Sequence, residues 1–276
     1  MLVAITKNPH KKYYQKLYVI RQKFLFFILL LITIIQPSLQ MSTKSLVVGA
    51  TGATGRHVVQ MLLDKGQQVI AVARSKETME KLLTQKDYGN LLEIYEAPIL
   101  DISSEDLMKL TKDCSNIFCC LGHNLTFKGV FGKPRDLVTE SVRRLTSLMP
   151  SSCKFILMGT EAVEHPDGKD PVRSLGARFV LTLLHYLLPP HIDNEMATEF
   201  MYKKGSECKW VVVRPTALID ENVAAEKYVI SERLDGTLFG ANEVSRSNVA
   251  HFMVELATNN SLFDKYECKM PFIKHK

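Results

Sequence analysis

The six cysteines include no Cys-x-x-Cys pair, no apolar or near-apolar run exceeds twelve residues, and the first 40 residues hold no acidic side chain. Each absence excludes a class. Without paired spacing, Cys114, Cys119, Cys120, Cys153, Cys208 and Cys268 do not form a zinc ribbon or a disulfide framework. They stand in or beside apolar strand-like runs and are expected to be buried, reduced thiols. Cys119 and Cys120 with His123 do not make a metal site either, because strand neighbours point to opposite faces and further ligands are missing; no metal is expected. The missing acids locate the charge. Lys7, Lys11, Lys12, Lys16, Arg21 and Lys23 account for the whole net charge of +6, leaving 29 basic against 29 acidic residues in the remainder. That neutral body has no nucleic-acid footprint, which needs clustered basic charge. No internal repeat or low-complexity linker divides it, and 276 residues with 46% hydrophobic content suffice for one sizeable core.

Residues 1–40 differ in kind from the rest of the chain. The apolar run 24–35 is short for a membrane span but fits a signal-peptide core. Ser38 and Gln40 mark a cleavage site weakly, and Met41 opens a conventional start directly before a strand. Three readings stay open: a signal sequence or anchor, an upstream extension absent from the working protein, and a buried helix. The first directs the chain to a membrane compartment, with membrane contact only through residues 24–35; a start at Met41 leaves it cytoplasmic. The fold is assigned to residues 41–276.

That body opens on β-formers at 46–48, three glycines spaced three apart (Gly49, Gly52, Gly55), and an apolar pattern of helical period from Arg56 onward. Strand, glycine turn and helix in this order make a dinucleotide-binding unit, with the pyrophosphate on the helix N-terminus. No Gly-Lys-Ser/Thr triplet comes after Gly55, which excludes a P-loop. Residues 67–74 read as a second strand, closed by Arg74 where an acidic residue would bond a ribose 2′-OH. A guanidinium there suits a 2′-phosphate and favours NADP(H); the alternative is a solvated surface arginine.

Ser75 is placed as the cap of a helix through Leu83, residues 91–95 as a third strand, and Ser103 or Ser104 as the cap of a helix through Leu110. The apolar run 117–122 predicts a central strand covered on both faces. The polar loop 123–135 after it, with two glycines and two phenylalanines, is a candidate substrate lid or a plain connection, and Asn124-Leu125-Thr126 matches the glycosylation triplet. A helix over 136–148 and a strand over 154–160 come next. Asp170-Pro171 is expected to open a long helix ending at Pro189-Pro190, and Asp193 to cap another that closes at Gly205. Residues 210–216 are a sixth strand, succeeded by a helix near 248–257 and a last strand near 268–272.

The alternation predicts an α/β fold, a Rossmann-type doubly wound parallel sheet forming a single domain with a small C-terminal substrate-side segment. The chain resembles the short-chain dehydrogenase/reductase superfamily in its atypical branch, the NAD(P)H-binding proteins akin to NmrA-like regulators and flavin or biliverdin reductases. The resemblance spans residues 44 to 273 and rests on the glycine motif from Gly49 to Arg56, on Arg74-Ser75, Asp101-Ile102 and Cys120-Leu121-Gly122, on Val213-Arg214-Pro215-Thr216, and on residues 245–250. It implies that Gly49, Thr51, Gly52, Ala53, Thr54, Gly55 and Arg56 cradle the phosphates, that Arg74 holds the 2′-phosphate, and that Asp101 and Ile102 flank adenine. Leu121, Gly122 and Thr160 would line the nicotinamide ribose, with Pro215 and Thr216 beside the nicotinamide.

One departure is catalytic. None of the nine tyrosines has Lys four residues later, the usual reductase pair in which the ammonium lowers the phenol's pKa. In the matching helix stand Asn194, Glu195 and Glu199. Thr160 is a candidate for orienting a carbonyl and Glu195 for an acid, provided desolvation raises its pKa; the alternative for Glu195 is a solvated helix carboxylate, and His123 and His191 read as loop residues. The leading expectation is an NADP(H)-dependent oxidoreductase acting on a small-molecule substrate or electron acceptor. A non-enzymatic NADP(H)-binding regulator or assembly factor is the alternative, and a nucleotide-sugar epimerase is weakened by the missing pair. Because the neutral body contains the complete first strand, a chain beginning at Met41 is expected to fold and bind NADPH as the full chain does. Insolubility, or loss of binding in a cofactor fluorescence titration, would show that the apolar segment packs into the fold.

Overall fold

The structure, a computed structural model, describes residues 18, 20–27, 43–83, 88–123, 126–220, 227–236, 238 and 243–276. The chain divides into two units, Met1–Ser42 and Thr43–Lys276. In the first, residues 20–27 are helical with exposed side chains, while the rest of the 24–35 run and the start at Met41 lie outside the described residues. No described helix is long and apolar enough to cross a membrane.

The second unit runs β1 (Lys44–Val48), α1 (Gly55–Asp64), β2 (Gln68–Ala73), α2 (Lys76–Leu82), β3 (Leu92–Glu96), α3 (Ser104–Thr111), β4 (Asn116–Cys119), α4 (Phe127–Phe131), α5 (Leu137–Leu148) and β5 (Lys154–Met158). It continues with α6 (Leu175–Leu187), α7 (Pro189–Lys204), β6 (Lys209–Pro215), β7 (Ala217–Ile219), β8 (Tyr228–Ser231), β9 (Glu243–Ser245), α8 (Arg246–Thr258), α9 (Asn260–Tyr266) and β10 (Phe272–His275). The main sheet has the order β3-β2-β1-β4-β5-β6-β10-β8. Every neighbouring pair is parallel except β10 with β8. This is a Rossmann-type doubly wound sheet, and its order reverses between β1 and β4, the switch point where such sheets bind ligands.

Strand alternation explains the two layers. Val47 packs with Val58 and Leu62 of α1 on one face, while Leu46 and Val48 pack with Leu107 of α3 and Val142 of α5 on the other. On β6, Val211 and Trp210 divide in the same way. A parallel strand buried on both faces is apolar along its interior, as residues Ile117, Phe118 and Cys119 of β4 are.

Local caps form where the sequence places them. Ser75 Oγ accepts from Thr78 N and Ser103 Oγ from Asp106 N. Three expectations are corrected. The helix expected from Asp170 begins at Leu175 and is capped by Ser174, and Pro189-Pro190 open α7 rather than only stopping α6. Asp193 lies inside α7 and caps α5 instead, accepting from Val138 N and Thr139 N. The last strand begins at Phe272, beyond most of the expected 268–272 span, because Cys268 has a φ of 56°, a left-handed conformation.

Asp170 caps nothing because Arg214 takes it. The Arg214 side chain is wholly buried and directs Nη1 to Asp170 Oδ2 at 2.6 Å, Nη2 to Oδ1 at 3.3 Å and Nε to the Met270 carbonyl at 2.9 Å. Asp170 also accepts from His165 N at 2.6 Å and Leu234 N at 3.3 Å. One buried pair thereby ties β6 to the segments after β5, after β8 and before β10. Burial works to raise the Asp170 carboxyl, but pairing with Arg214 outweighs it and holds the group below its ordinary 3.8.

Removing one partner of a buried pair strands the other charge, so Asp170→Asn is expected to cost about 3–5 kcal/mol at pH 7 in denaturant unfolding. A carboxyl whose folded pKa is depressed stabilises fully above its unfolded value and loses that contribution as pH falls through the folded one. The gap between parent and variant is therefore expected to close below pH 3.8. A gap that does not narrow at all as pH falls below 3.8 would show that the charge is not its source.

Candidate cofactor site

A cavity of about 730 Å³ opens at the carboxyl ends of β1, β2 and β4, within the size range of small-molecule sites. Its floor is the turn after β1. Gly49 has a φ of 77°, and Gly52 N donates to its carbonyl at 2.9 Å. A Cβ on Gly49 would stand 2.6 Å from the Cys120 carbonyl oxygen, and one on Gly55 would strike the Gly49 carbonyl. Only glycine lets these backbones cross. The turn delivers α1, which has no acidic residue in its first turn and no side-chain cap bond from Thr54. Its N-terminal dipole is uncompensated from within the helix, the condition for holding a pyrophosphate.

Of the residues expected at the site, Gly49, Thr51, Gly52, Arg74, Asp101, Leu121 and Gly122 line this cavity. Arg74 is exposed at its edge, and no described residue forms an ion pair with it. Arg144 of α5, which sequence reasoning missed, shapes the wall beside Asp101. Its guanidinium donates to the Leu100 carbonyl at 2.9 Å, the Ile99 carbonyl at 3.2 Å and the Ile102 carbonyl, gathering three acceptors of one turn around one cation. Ile102 itself is buried among core residues beneath that wall.

Ala53, Thr54, Gly55 and Arg56 form the turn and the start of α1 without lining the cavity. The catalytic-side residues lie elsewhere. Thr160 lines neither this cavity nor a second one; its Oγ1 accepts from Ala162 N at 3.3 Å. Pro215 ends β6, and Thr216 is buried, its N–H bonded to the Ile273 carbonyl at 3.1 Å and its Oγ1 without a hydrogen-bond partner.

Glu195 requires a correction. It lines the second cavity, of about 620 Å³, between the segment after β5 and helices α6 and α7. His185 Nδ1 lies 2.6 Å from its carboxylate, and His191 Nε2 approaches to 3.2 Å without hydrogen-bond alignment. Burial alone would raise this carboxyl, but the two imidazoles hold it below its ordinary 4.5. The condition for an acid role, a raised pKa, is not met. All six cysteines are free; five are buried as expected while Cys268 is half-buried, and burial pushes the Cys119 thiol up to about 12 and Cys120 higher. No group of three His, Cys, Asp or Glu among the described residues could hold a metal ion.

The loop expected as a lid contributes Gly129, Lys133 and Pro134 to the cofactor cavity. Part of it forms α4, whose Phe127 is 82% exposed; Asn124 and Leu125 of the glycosylation triplet lie outside the described residues. At its start stands a residue that the sequence marks only as part of a loop. His123 lines the cavity, and its Nε2 lies 2.8 Å from Asp193 Oδ2, with side-chain exposures of 4% and 0%. Asp193 also accepts from Val138 N at 2.7 Å and Thr139 N at 2.9 Å. Burial opposes ionisation of this carboxyl, and the bonds from His123, Thr139 and Val138 outweigh it, holding the group below 3.8.

Among solved structures, an anaerobillin reductase from Escherichia coli O157:H7, ChuY, superposes with a TM-score of 0.58 at 17% identity, covering 84% of this chain and 96% of its own. The oxidoreductase ylbE from Lactococcus lactis gives 0.57 at 18%, covering 85% and 91%. A Rossmann-fold NAD(P)-binding family protein from Shigella flexneri gives 0.56 at 18%, covering 85% and 94%. At such identities the likeness shows the fold alone. A search of curated protein sequences finds no match. The family described as NAD(P)H-binding matches residues 49–260, from the first glycine of the turn to the start of α9, and the chain belongs to that family.

Proposed function

We propose that the chain is an NADP(H)-dependent oxidoreductase of the atypical short-chain dehydrogenase/reductase type, acting on a small-molecule acceptor. The observation that carries the cofactor choice is Arg74: a guanidinium with no ion-pair partner among the described residues, at the edge of the cavity, where β2 ends. The glycine turn and the start of α1 would hold the pyrophosphate, and Asp101 with the carbonyl wall clamped by Arg144 would meet the adenosine end. The bound cofactor supplies hydride; the chain supplies binding, orientation and exclusion of water. One observation favours the second reading, a non-catalytic NADP(H)-binding regulator or assembly factor: neither Thr160 nor Glu195 lines the cofactor cavity.

Titration is expected to show tighter binding of NADPH than of NADH, and Arg74→Ala to narrow the gap by about 1–3 kcal/mol, the range for charge-assisted bonds. Equal affinities in the parent would remove the NADP preference. Mixed with quinones or flavins, the protein is expected to consume NADPH absorbance measurably, and with simple ketones little. Thr160→Val and Glu195→Gln should lower that rate by less than the roughly 10²–10⁴-fold of a dedicated acid. A cofactor-loaded protein whose absorbance stays unchanged with every acceptor favours the regulator.

A further inference from the structure

We propose that His123 is the proton donor of this site and that Asp193 is its positioning residue. The assignment rests on the oxidoreductase reading above and supplies what the missing Tyr/Lys pair leaves open. Three observations carry it. His123 lines the cofactor cavity just beyond the carboxyl end of β4, next to Leu121 and Gly122, with its side chain 4% exposed. This is the central position of the sheet, beside the switch point, where ligands of such folds bind. Second, Asp193 fixes the ring. An ionised carboxylate is acceptor only, so the 2.8 Å contact makes Nε2 the protonated nitrogen. Nδ1 bonds to no described residue, so it carries a lone pair in the neutral ring and a donatable proton in the imidazolium.

The third observation is how firmly the carboxylate is held. Asp193 is anchored by two backbone N–H groups of α5, and its own carbonyl accepts from Thr139 Oγ1 at 2.9 Å. A carboxylate used only as a helix cap needs no imidazole, and a surface histidine needs no buried anion. Here a helix start, a second helix and the loop after β4 converge on one carboxylate whose remaining bond goes to a cavity-lining ring. A base oriented by a third group in this way is the general arrangement for directed proton transfer.

The balance is that of a two-electron reduction. The acceptor gains two electrons and one hydrogen as hydride from the cofactor, and one proton from Nδ1 of the imidazolium at the oxygen or nitrogen where negative charge develops. The ring is left neutral with its proton on Nε2, still hydrogen-bonded to Asp193, and water returns the proton to Nδ1.

The test uses the full chain, NADPH and a quinone acceptor, with His123→Gln and Asp193→Asn. Gln keeps a donor to Asp193 but cannot deliver a proton, and Asn removes the charge while keeping an acceptor for one of the two α5 amides. NADPH affinity, read by fluorescence titration, is expected to stay within about threefold in both variants. In single turnovers, His123→Gln is expected to slow NADPH oxidation by about 10²–10⁴-fold, the contribution of a positioned acid. Independently of activity, ¹⁵N spectra of the parent are expected to show the His123 ring in the Nε2–H form, and Asp193→Asn to lose that single form. A His123→Gln rate within threefold of the parent, or an Nδ1–H ring in the parent, overturns the donor while leaving the oxidoreductase reading standing. A parent that binds NADPH but leaves it unoxidised with every quinone and flavin acceptor overturns both.

Discussion

Two carbonyls govern this molecule: that of Cys120 at the end of β4 and that of Gly49 at the end of β1. Each occupies the space a Cβ would need, the first at Gly49 and the second at Gly55. The crossing lets the backbone turn within three residues and brings the start of α1 against the carboxyl ends of the two central strands. Strand order reverses at that point, so helices leave the sheet on opposite faces and a crevice opens between them. The cavity, the uncompensated helix N-terminus and the placement of Arg74 on one rim and His123 on another depend on this backbone approach. A side chain at Gly49 or Gly55 would separate β1 from β4 at the place where the ligand binds.

Around that floor the connecting segments are held by charged side chains. Arg144 collects three carbonyls of the turn after β3, Asp193 collects two amides of α5 and the ring of His123, and the Arg214–Asp170 pair ties down the segment after β5. In each case a loop that cannot satisfy its own polar groups borrows a charged side chain from a neighbouring element. Backbone groups bonded to such an ion cannot move without stranding it, and this hold adds to the apolar lining that Val48, Val72, Ile99 and Leu121 give the cavity. Glu195, the expected acid, lies in a different cavity, where burial would raise its carboxyl but His185 and His191 hold it below its ordinary 4.5.

What the sequence makes legible is local. The turn after β1, the caps at Ser75 and Ser103 and the apolar strands through β6 depend on residues within a few positions of one another, and a reader of the chain sees all the parts at once. Asp170 and Asp193 mislead for the same reason. Each is a short acidic residue near a proline, the signature of a helix start, but their partners lie 44 and 55 residues away along the chain. Pro189-Pro190 mark both the end of α6 and the start of α7, and the local signal cannot say which helix they serve. The small β7–β9 pair, the antiparallel β8 and the short α4 escape because their formation depends on neighbours supplied by the fold.

Those misleading signals fall at one end of the sheet, and that is physically consistent. The cofactor half of a dinucleotide fold meets the same ligand atoms in every member, so its residues satisfy local rules that serve a single purpose. A half facing an acceptor must differ between members, and on the proposal above it is here assembled from the loop after β4 and from contacts that span the chain. On that proposal His123 belongs to this half, and by position it follows β4. Its ring is held not by the strand that delivers it but by a carboxylate from α7 that also starts α5. A residue with such divided allegiance carries no local signature in the sequence; only the folded backbone, by bringing residues 123, 138 and 193 to one carboxylate, makes it recognisable.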